Sequence, residues 1–200
     1  MAETENFLIP TVNYLKSGIH IGTKFKTAYM RKFIYKTRPD GLSVLNLQKI
    51  DERIRIAATF LAPYEPEGIL VVSRRETADR ALKLFQKYTG ARVILGRYPP
   101  GMMTNTNLVT FIEPKILLVT DAWPDRNAVM DANKIGIPVI ALCDTNNQTN
   151  FIDLVVPCNN KGKKSLGLFF YLLTVEYLRI RGKIKSAEEL GVTIEDFTEK

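Results

Sequence analysis

Five short runs of this sequence are apolar along nearly their whole length, and segments of helical period separate them. The runs are Gly68-Ile-Leu-Val-Val72, Arg92-Val-Ile-Leu95, Ile116-Leu-Leu-Val-Thr120, Ile137-Pro-Val-Ile-Ala-Leu142 and Asp153-Leu-Val-Val156. A strand without a polar face must be covered on both sides, so these strands belong to the middle layer of a sandwich. The cover is visible in the sequence. Ala78 to Tyr88 places Ala81, Leu82, Leu84 and Phe85 on one side and stops at Gly90. Arg126 to Lys134 stops at Gly136, and a last helix runs from about Lys164 to Arg181, before Gly182. Strands alternating with helices imply parallel pairing through right-handed crossovers. The expected architecture is α/β: a three-layer sandwich with a mainly parallel, flavodoxin-like or Rossmann-like sheet.

Upstream, Pro10 to Lys16 reads as a short helix closed by Gly18. Phe33 to Thr37 and Leu42 to Asn46 read as strands around the turn Arg38-Pro-Asp-Gly41. Ile50, Ile54, Ala57, Ala58 and Leu61 recur at helical spacing and end before Pro63. The expected organisation is an N-terminal helix and basic arm over residues 1–40, an α/β domain over 41–184, and an acidic tail over 185–200 that rides on the surface. No run reaches the roughly 18 apolar residues that span a membrane, and Leu166 to Leu173 is too short. The opening Met1-Ala-Glu-Thr-Glu5 is acidic and without a hydrophobic signal region, so the chain is expected in the cytosol. There Cys143 and Cys158 read as reduced, buried thiols, because no CxxC spacing supports a redox pair.

Charge separates the arm from the rest. Between Thr11 and Pro39 lie seven basic residues, Lys16, Lys24, Lys26, Arg31, Lys32, Lys36 and Arg38, and no Asp or Glu. The whole chain carries 28 Lys and Arg against 21 Asp and Glu, so removing this stretch leaves the remainder balanced. A cationic segment interleaved with Phe25, Tyr29, Phe33 and Tyr35 suits a row of phosphates, with rings that stack on bases or anchor the arm to its own domain. If the segment is extended, Phe33 and Tyr35 share a face, which reads as core.

Enzyme templates fail one by one. No strand is followed by GxGxxG. Lys161-Gly-Lys-Lys-Ser165 imitates the end of a P-loop, but Lys164 stands in the Ser/Thr position and Pro157 where the first glycine belongs. Asp121 as a phosphoacceptor needs further carboxylates for Mg²⁺, whereas Ser73-Arg74-Arg75 offers cations. Asp121, Asp125 and Asp144 can be grouped as metal ligands, or Asp125 and Asp144 read as caps of turns or helices. The single histidine, His20, lies far from every nucleophile and forms no zinc set with two distant cysteines. No GxSxG elbow exists. A nucleotide- or metal-dependent enzyme using the strand-end crevice remains the alternative.

The positive features are three. Lys16-Ser-Gly-Ile-His20-Ile-Gly-Thr-Lys-Phe-Lys26 combines glycines with cations, and His20 can stack, donate to a phosphate or simply pack. Arg97 and the Thr104-Asn105 pair flank a Pro-Pro-Gly bend at a strand end. Lys161, Lys163 and Lys164 precede a helix whose N-terminus favours anions.

These residues resemble the small-subunit ribosomal protein S-two family over nearly the whole chain. The resemblance rests on Gly18-Ile-His-Ile-Gly-Thr23 with Tyr35-Lys-Thr-Arg-Pro-Asp-Gly41, and on Gly96-Arg-Tyr-Pro-Pro-Gly-Met-Met-Thr-Asn105. Two further pieces are Leu117-Leu-Val-Thr-Asp121 with Gly136-Ile-Pro-Val-Ile-Ala-Leu-Cys-Asp-Thr-Asn146, and Ile152-Asp-Leu-Val-Val-Pro-Cys-Asn-Asn-Lys-Gly162. Met102-Met103 departs from the smaller residues usual before Thr-Asn. Thr104-Asn105 runs on to Ile116 without the helical hairpin of bacterial members, and the chain stops at Lys200 without the long extension of eukaryotic ones. It therefore resembles the archaeal type. The resemblance implies a flavodoxin-like scaffold without enzymatic activity, cofactor or small-molecule substrate. It implies small-subunit ribosomal RNA and neighbouring small-subunit proteins as partners, and a place on the solvent side of that subunit where head meets body.

Overall fold

A computed structural model describes residues 7–198; the acidic opening Met1 to Glu5 lies outside them. The five apolar runs form one all-parallel sheet of β3 (Ile69–Ser73), β4 (Arg92–Leu95), β5 (Ile116–Val119), β6 (Val139–Cys143) and β7 (Leu154–Pro157), in the order β4-β3-β5-β6-β7. Counting only these strands the order is 2-1-3-4-5, the flavodoxin-like arrangement, whose direction reverses between β3 and β5. Every residue of β3, β5, β6 and β7 is buried, as two-sided cover requires.

Helix α2 (Leu47–Leu61) packs on β7, and α3 (Asp79–Thr89) on β4. Helix α5 (Lys163–Ile180) packs on both of these helices, α2 and α3. Helix α4 (Arg126–Ile135) packs on β5 and β6, on the opposite face that a right-handed crossover dictates. Asn46 starts α2 by accepting the Gln48 N–H at 2.9 Å. Helix α5 is buried without a break from Ser165 to Leu178, and its Phe169 and Phe170 rings meet at 5.1 Å. The long connection from Gly96 to Lys115 carries no regular element. It is tied to α4 by Asp131, whose Oδ2 accepts the Gly101 N–H at 2.8 Å and the Tyr98 hydroxyl at 3.3 Å. Met103 on the same connection is buried, and its N–H donates to the Tyr98 hydroxyl at 3.2 Å.

The tail expected to ride on the surface is docked over its described part, residues 185–198; residues 199–200 lie outside the described residues. Helix α6 (Ile194–Thr198) packs against α5, Phe197 is buried, and its ring meets Tyr171 edge-on at 5.6 Å. Gly167 makes that approach possible, because a Cβ there would stand 2.8 Å from the Phe197 carbonyl oxygen. A helix apolar all round, as α5 is, needs cover on its outer side as well.

Candidate nucleic-acid interface

The basic segment is not a loose arm. Helix α1 (Thr11–Ser17) leads into a strap that crosses the carboxyl ends of β6 and β7 and returns as an antiparallel hairpin of β1 (Ile34–Thr37) and β2 (Ser43–Leu45). The expected boundary at residue 40 falls inside this hairpin. Four apolar residues, Tyr14, Ile19, Met30 and Phe33, sink into the core. Between these anchors, backbone hydrogen bonds stitch the strap down. Gly22 N–H reaches the Ser43 carbonyl at 2.8 Å, Thr27 N–H the Thr145 carbonyl at 2.9 Å, and Asn159 N–H the Ile19 carbonyl at 2.9 Å. Thr145 is the principal button: its Oγ1 also accepts the Thr23 N–H at 3.0 Å. A Cβ on Gly22 would meet the Thr145 Cγ2 at 2.6 Å, so only glycine lets the strap lie this close.

With the apolar residues inward, the cations face out. Lys16, Lys24, Lys26, Arg31, Lys32, Lys36 and Arg38 are all exposed. Among the described residues, one of the seven is ion-paired: Arg38, 3.4 Å from Asp40. That pair is half-exposed on both sides and is worth little. Lys26 donates to Thr37 Oγ1 at 2.6 Å, and the Lys32 ammonium sits 3.6 Å from the centre of the Tyr29 ring. Phe25 and Tyr35 project into solvent. The shared core face expected of Phe33 and Tyr35 is thus half right: Phe33 ends a 3₁₀ turn and is buried, whereas Tyr35 lies on the hairpin's outer side. His20 is partly buried. Burial pushes its pKa below the ordinary value, against a smaller opposing pull from the Tyr14 backbone nearby, and its Nδ1 is buried without a hydrogen-bond partner. It is therefore a neutral ring at neutral pH rather than a cation.

The other two groups lie apart from one another. Arg97, Thr104 and Asn105 are exposed on the connection that leaves β4, one edge of the sheet. Lys161, Lys163 and Lys164 follow β7, the opposite edge, at the start of α5. Lys161 turns to Asp144, 3.3 Å away and buried, so part of its charge serves the fold. Lys164 and Lys16 line one cavity of about 870 Å³ between α1, α5 and the C-terminal segment. The structure therefore brings Lys164 beside Lys16, sets Lys163 at a different cavity with Glu76, Asp79 and Arg80, and leaves the second group separate.

The strand-end crevice is filled by the protein's own side chains. At the reversal point Thr120 Oγ1 donates to Ser73 Oγ at 2.8 Å. Arg75 Nε reaches across to Asp121 Oδ2 at 3.1 Å, and Asn147 Nδ2 donates to Asp121 Oδ1 at 2.8 Å. Asn160 in turn donates to Asn147 Oδ1 at 3.1 Å. The capping assignment for Asp125 is corrected: it precedes α4, but its carboxylate accepts the Arg74 N–H at 3.3 Å instead. Burial, with Asp121 nearby, pushes the Asp125 carboxyl up to about 7 against the pull of that N–H. Cys143 and Cys158 are unbonded, and desolvation pushes both thiols up, away from nucleophilic character. Among the described residues no group of three His, Cys, Asp or Glu side chains could hold a metal, and no helix is long and apolar enough to cross a membrane. Two features had no signal in the sequence. One is Thr145 as the strap's anchor. The other is Asp51, which accepts from Tyr14 and from the Leu8 N–H and so fixes the N-terminal segment on α2.

An α/β sandwich whose strand-end crevice is filled by its own side chains, and whose excess of cations lies on one strap, defines a class: a scaffold with a polycationic face. Comparison with known proteins agrees. A family profile described as Ribosomal protein S2 matches residues 14–113 and 110–177. A protein of Nanoarchaeum equitans named small ribosomal subunit protein uS2 is 48% identical over 96% of this chain and 96% of its own length. Proteins of the same name from Ignicoccus hospitalis and Thermoplasma acidophilum are each 46% identical over 96% of this chain, covering 92% and 97% of their own. The chain belongs to the ribosomal protein S2 family, in its archaeal type. The enzyme alternative finds no support.

Proposed function

We propose that this protein is a structural constituent of the small ribosomal subunit in the cytoplasm, held there by small-subunit ribosomal RNA and contributing to subunit assembly and translation. The observation that carries the reading is the strap: seven exposed cations on a backbone already fastened to a rigid body, with one carboxylate partner among the described residues. Lys24, Lys26, Arg31, Lys32 and Lys36 contact phosphates. Lys16, Lys163 and Lys164 extend the track from the other side of α1. Arg38 and Lys161 contribute less because carboxylates already engage them. Arg97, Thr104 and Asn105 form a separate contact, His20 packs or stacks as a neutral ring, and neighbouring small-subunit proteins cover other faces.

About five phosphate contacts give a slope of log affinity against log salt near −4. Changing Lys24, Lys26, Lys32 and Lys36 together to glutamine should flatten that slope to about −1 and leave thermal unfolding almost unmoved, since all four are exposed. Binding to small-subunit RNA that ignores salt between about 50 and 200 mM would refute the reading. So would failure of the protein to sediment with small subunits.

A further inference from the structure

The chain has a single tryptophan, and the core does not use it. Trp123 is 73% exposed, yet its backbone is fixed. Its N–H donates to Asp121 Oδ1 at 3.1 Å, and its carbonyl accepts the Arg126 N–H at 3.3 Å. Asp121 is itself buried and held by Arg75 and Asn147. The indole is thus displayed on a rigid turn, with no loop to order before something stacks on it.

Trp123 lines two cavities. One, of about 510 Å³, is bounded with it by Arg74, Arg75 and Pro124. The other, of about 400 Å³, includes Arg126, Asn146, Gln148, Asn150 and Phe151. Among the described residues no carboxylate lines either cavity, and neither Arg74 nor Arg126 makes an ion pair. Phe151 adds an independent oddity. At φ 63° it is the one non-glycine residue among those described with a left-handed backbone, and it is 53% exposed. That conformation is unfavourable for a bulky L-residue, and core burial does not compensate it. The Asn146 amide oxygen is buried without a partner.

An apolar protein plug has no use for two guanidinium groups and three amides around the rings. A nucleotide unit matches each part: a π face for the rings, a donor–acceptor edge for the amides, and anionic links for the arginines. The site also adjoins the strap, because Thr27 lines the second cavity and is hydrogen-bonded to the backbone of Thr145 and Asn147. We propose that Trp123 and Phe151 form a stacking site for an unpaired RNA base, with Asn146, Gln148 and Asn150 at its edge and Arg74 and Arg126 at its flanking phosphates. The inference rests on the RNA-binding reading above but uses residues outside the strap, and it takes single-stranded rather than paired RNA.

The lone tryptophan makes the test direct, since its emission reports on this site alone. The full chain is titrated at about 50 mM salt with single-stranded oligoadenylate RNA, with a fully paired RNA duplex and with inorganic polyphosphate. Oligoadenylate should quench the emission saturably, while duplex and polyphosphate bind the strap and quench little. Trp123→Ala should weaken oligoadenylate binding about 5- to 150-fold, the range for loss of one stacked base. It should leave duplex affinity and thermal unfolding at the parent values. Trp123→Phe should restore most of the loss. Wild-type oligoadenylate affinity in Trp123→Ala, or saturation without quenching, overturns the proposal. So does a Trp123→Ala protein that binds both RNAs normally but leaves the small subunit, which would assign the site to a protein neighbour. The strap reading fails separately, if the four-glutamine variant keeps the parent's duplex affinity and salt slope.

Discussion

The contact between Gly22 and Thr145 allows a quantitative test of how the strap is seated. In Gly22→Ala the new methyl carbon would stand 2.6 Å from Thr145 Cγ2, and 3.1 Å from both Thr145 Oγ1 and the Ser43 carbonyl oxygen. Thr145 is fully buried and its branched side chain is stiff, so the clash is relieved by lifting the strap. Overpacking of this kind costs about 1–3 kcal/mol. Alanine's smaller unfolded-state freedom returns about 0.4–1 kcal/mol, leaving a net loss near 1–2 kcal/mol. Thr145→Ser removes the offending methyl and keeps the hydroxyl that accepts the Thr23 N–H at 3.0 Å; lost packing should cost about 1 kcal/mol. Combined, the two changes fit one another. The double variant should be more stable than the sum of the single losses implies by about 1 kcal/mol or more, read from urea unfolding midpoints at constant m. Additivity to within about 0.5 kcal/mol would show that these groups do not meet and would refute the seating described here.

Two further outcomes follow from buried contacts elsewhere. Gly167→Ala would set a methyl 2.4 Å from Thr198 Cγ2 and 2.8 Å from the Phe197 carbonyl oxygen. Helix α6 should lift, costing about 2–3 kcal/mol for the exposed phenylalanine; unchanged hydrogen-exchange protection over residues 184–198 would contradict this. Asp125 is an acid whose folded pKa of about 7 lies above its unfolded value. Between about pH 4 and 7 the folded state therefore binds the extra proton, and stability falls as pH rises through that window, by up to about 4 kcal/mol. Asp125→Asn should remove this component, so that its stability gains on the parent's as pH rises from 4 to 7. Parallel stability curves would show that the carboxyl ionises freely in the fold.

The layered fold was legible because apolar strands leave few alternatives. Arg92 to Leu95 matches its strand to the residue, whereas the expected Ile137 to Leu142 shifts to Val139–Cys143: Pro138, lacking an N–H, delays the start of the ladder, and the end runs one residue further. The clash of a phosphoacceptor Asp121 with Arg74 and Arg75 was also visible, and Arg75 does neutralise Asp121. The role of the C-terminal segment was not. Phe197 is one aromatic among acidic residues, and the signal lay elsewhere, in the all-round apolarity of Leu166 to Leu173. Trp123 and Phe151 share a cavity only because β5 and β6 are neighbours in the sheet, and periodicity carries no trace of that pairing. The strap's charge could be read from composition; its fastening to Thr145 joins positions 122 apart in sequence.

That fastening decides when conformational entropy is lost. A loose tail surrenders about 1–2 kcal/mol of backbone freedom per residue as it wraps a polyanion. Here Gly22, Thr23 and Thr27 are immobilised during folding, long before any partner arrives. Docking can then proceed as the meeting of two shaped surfaces, its speed governed by long-range attraction and ionic strength instead of by a search for structure.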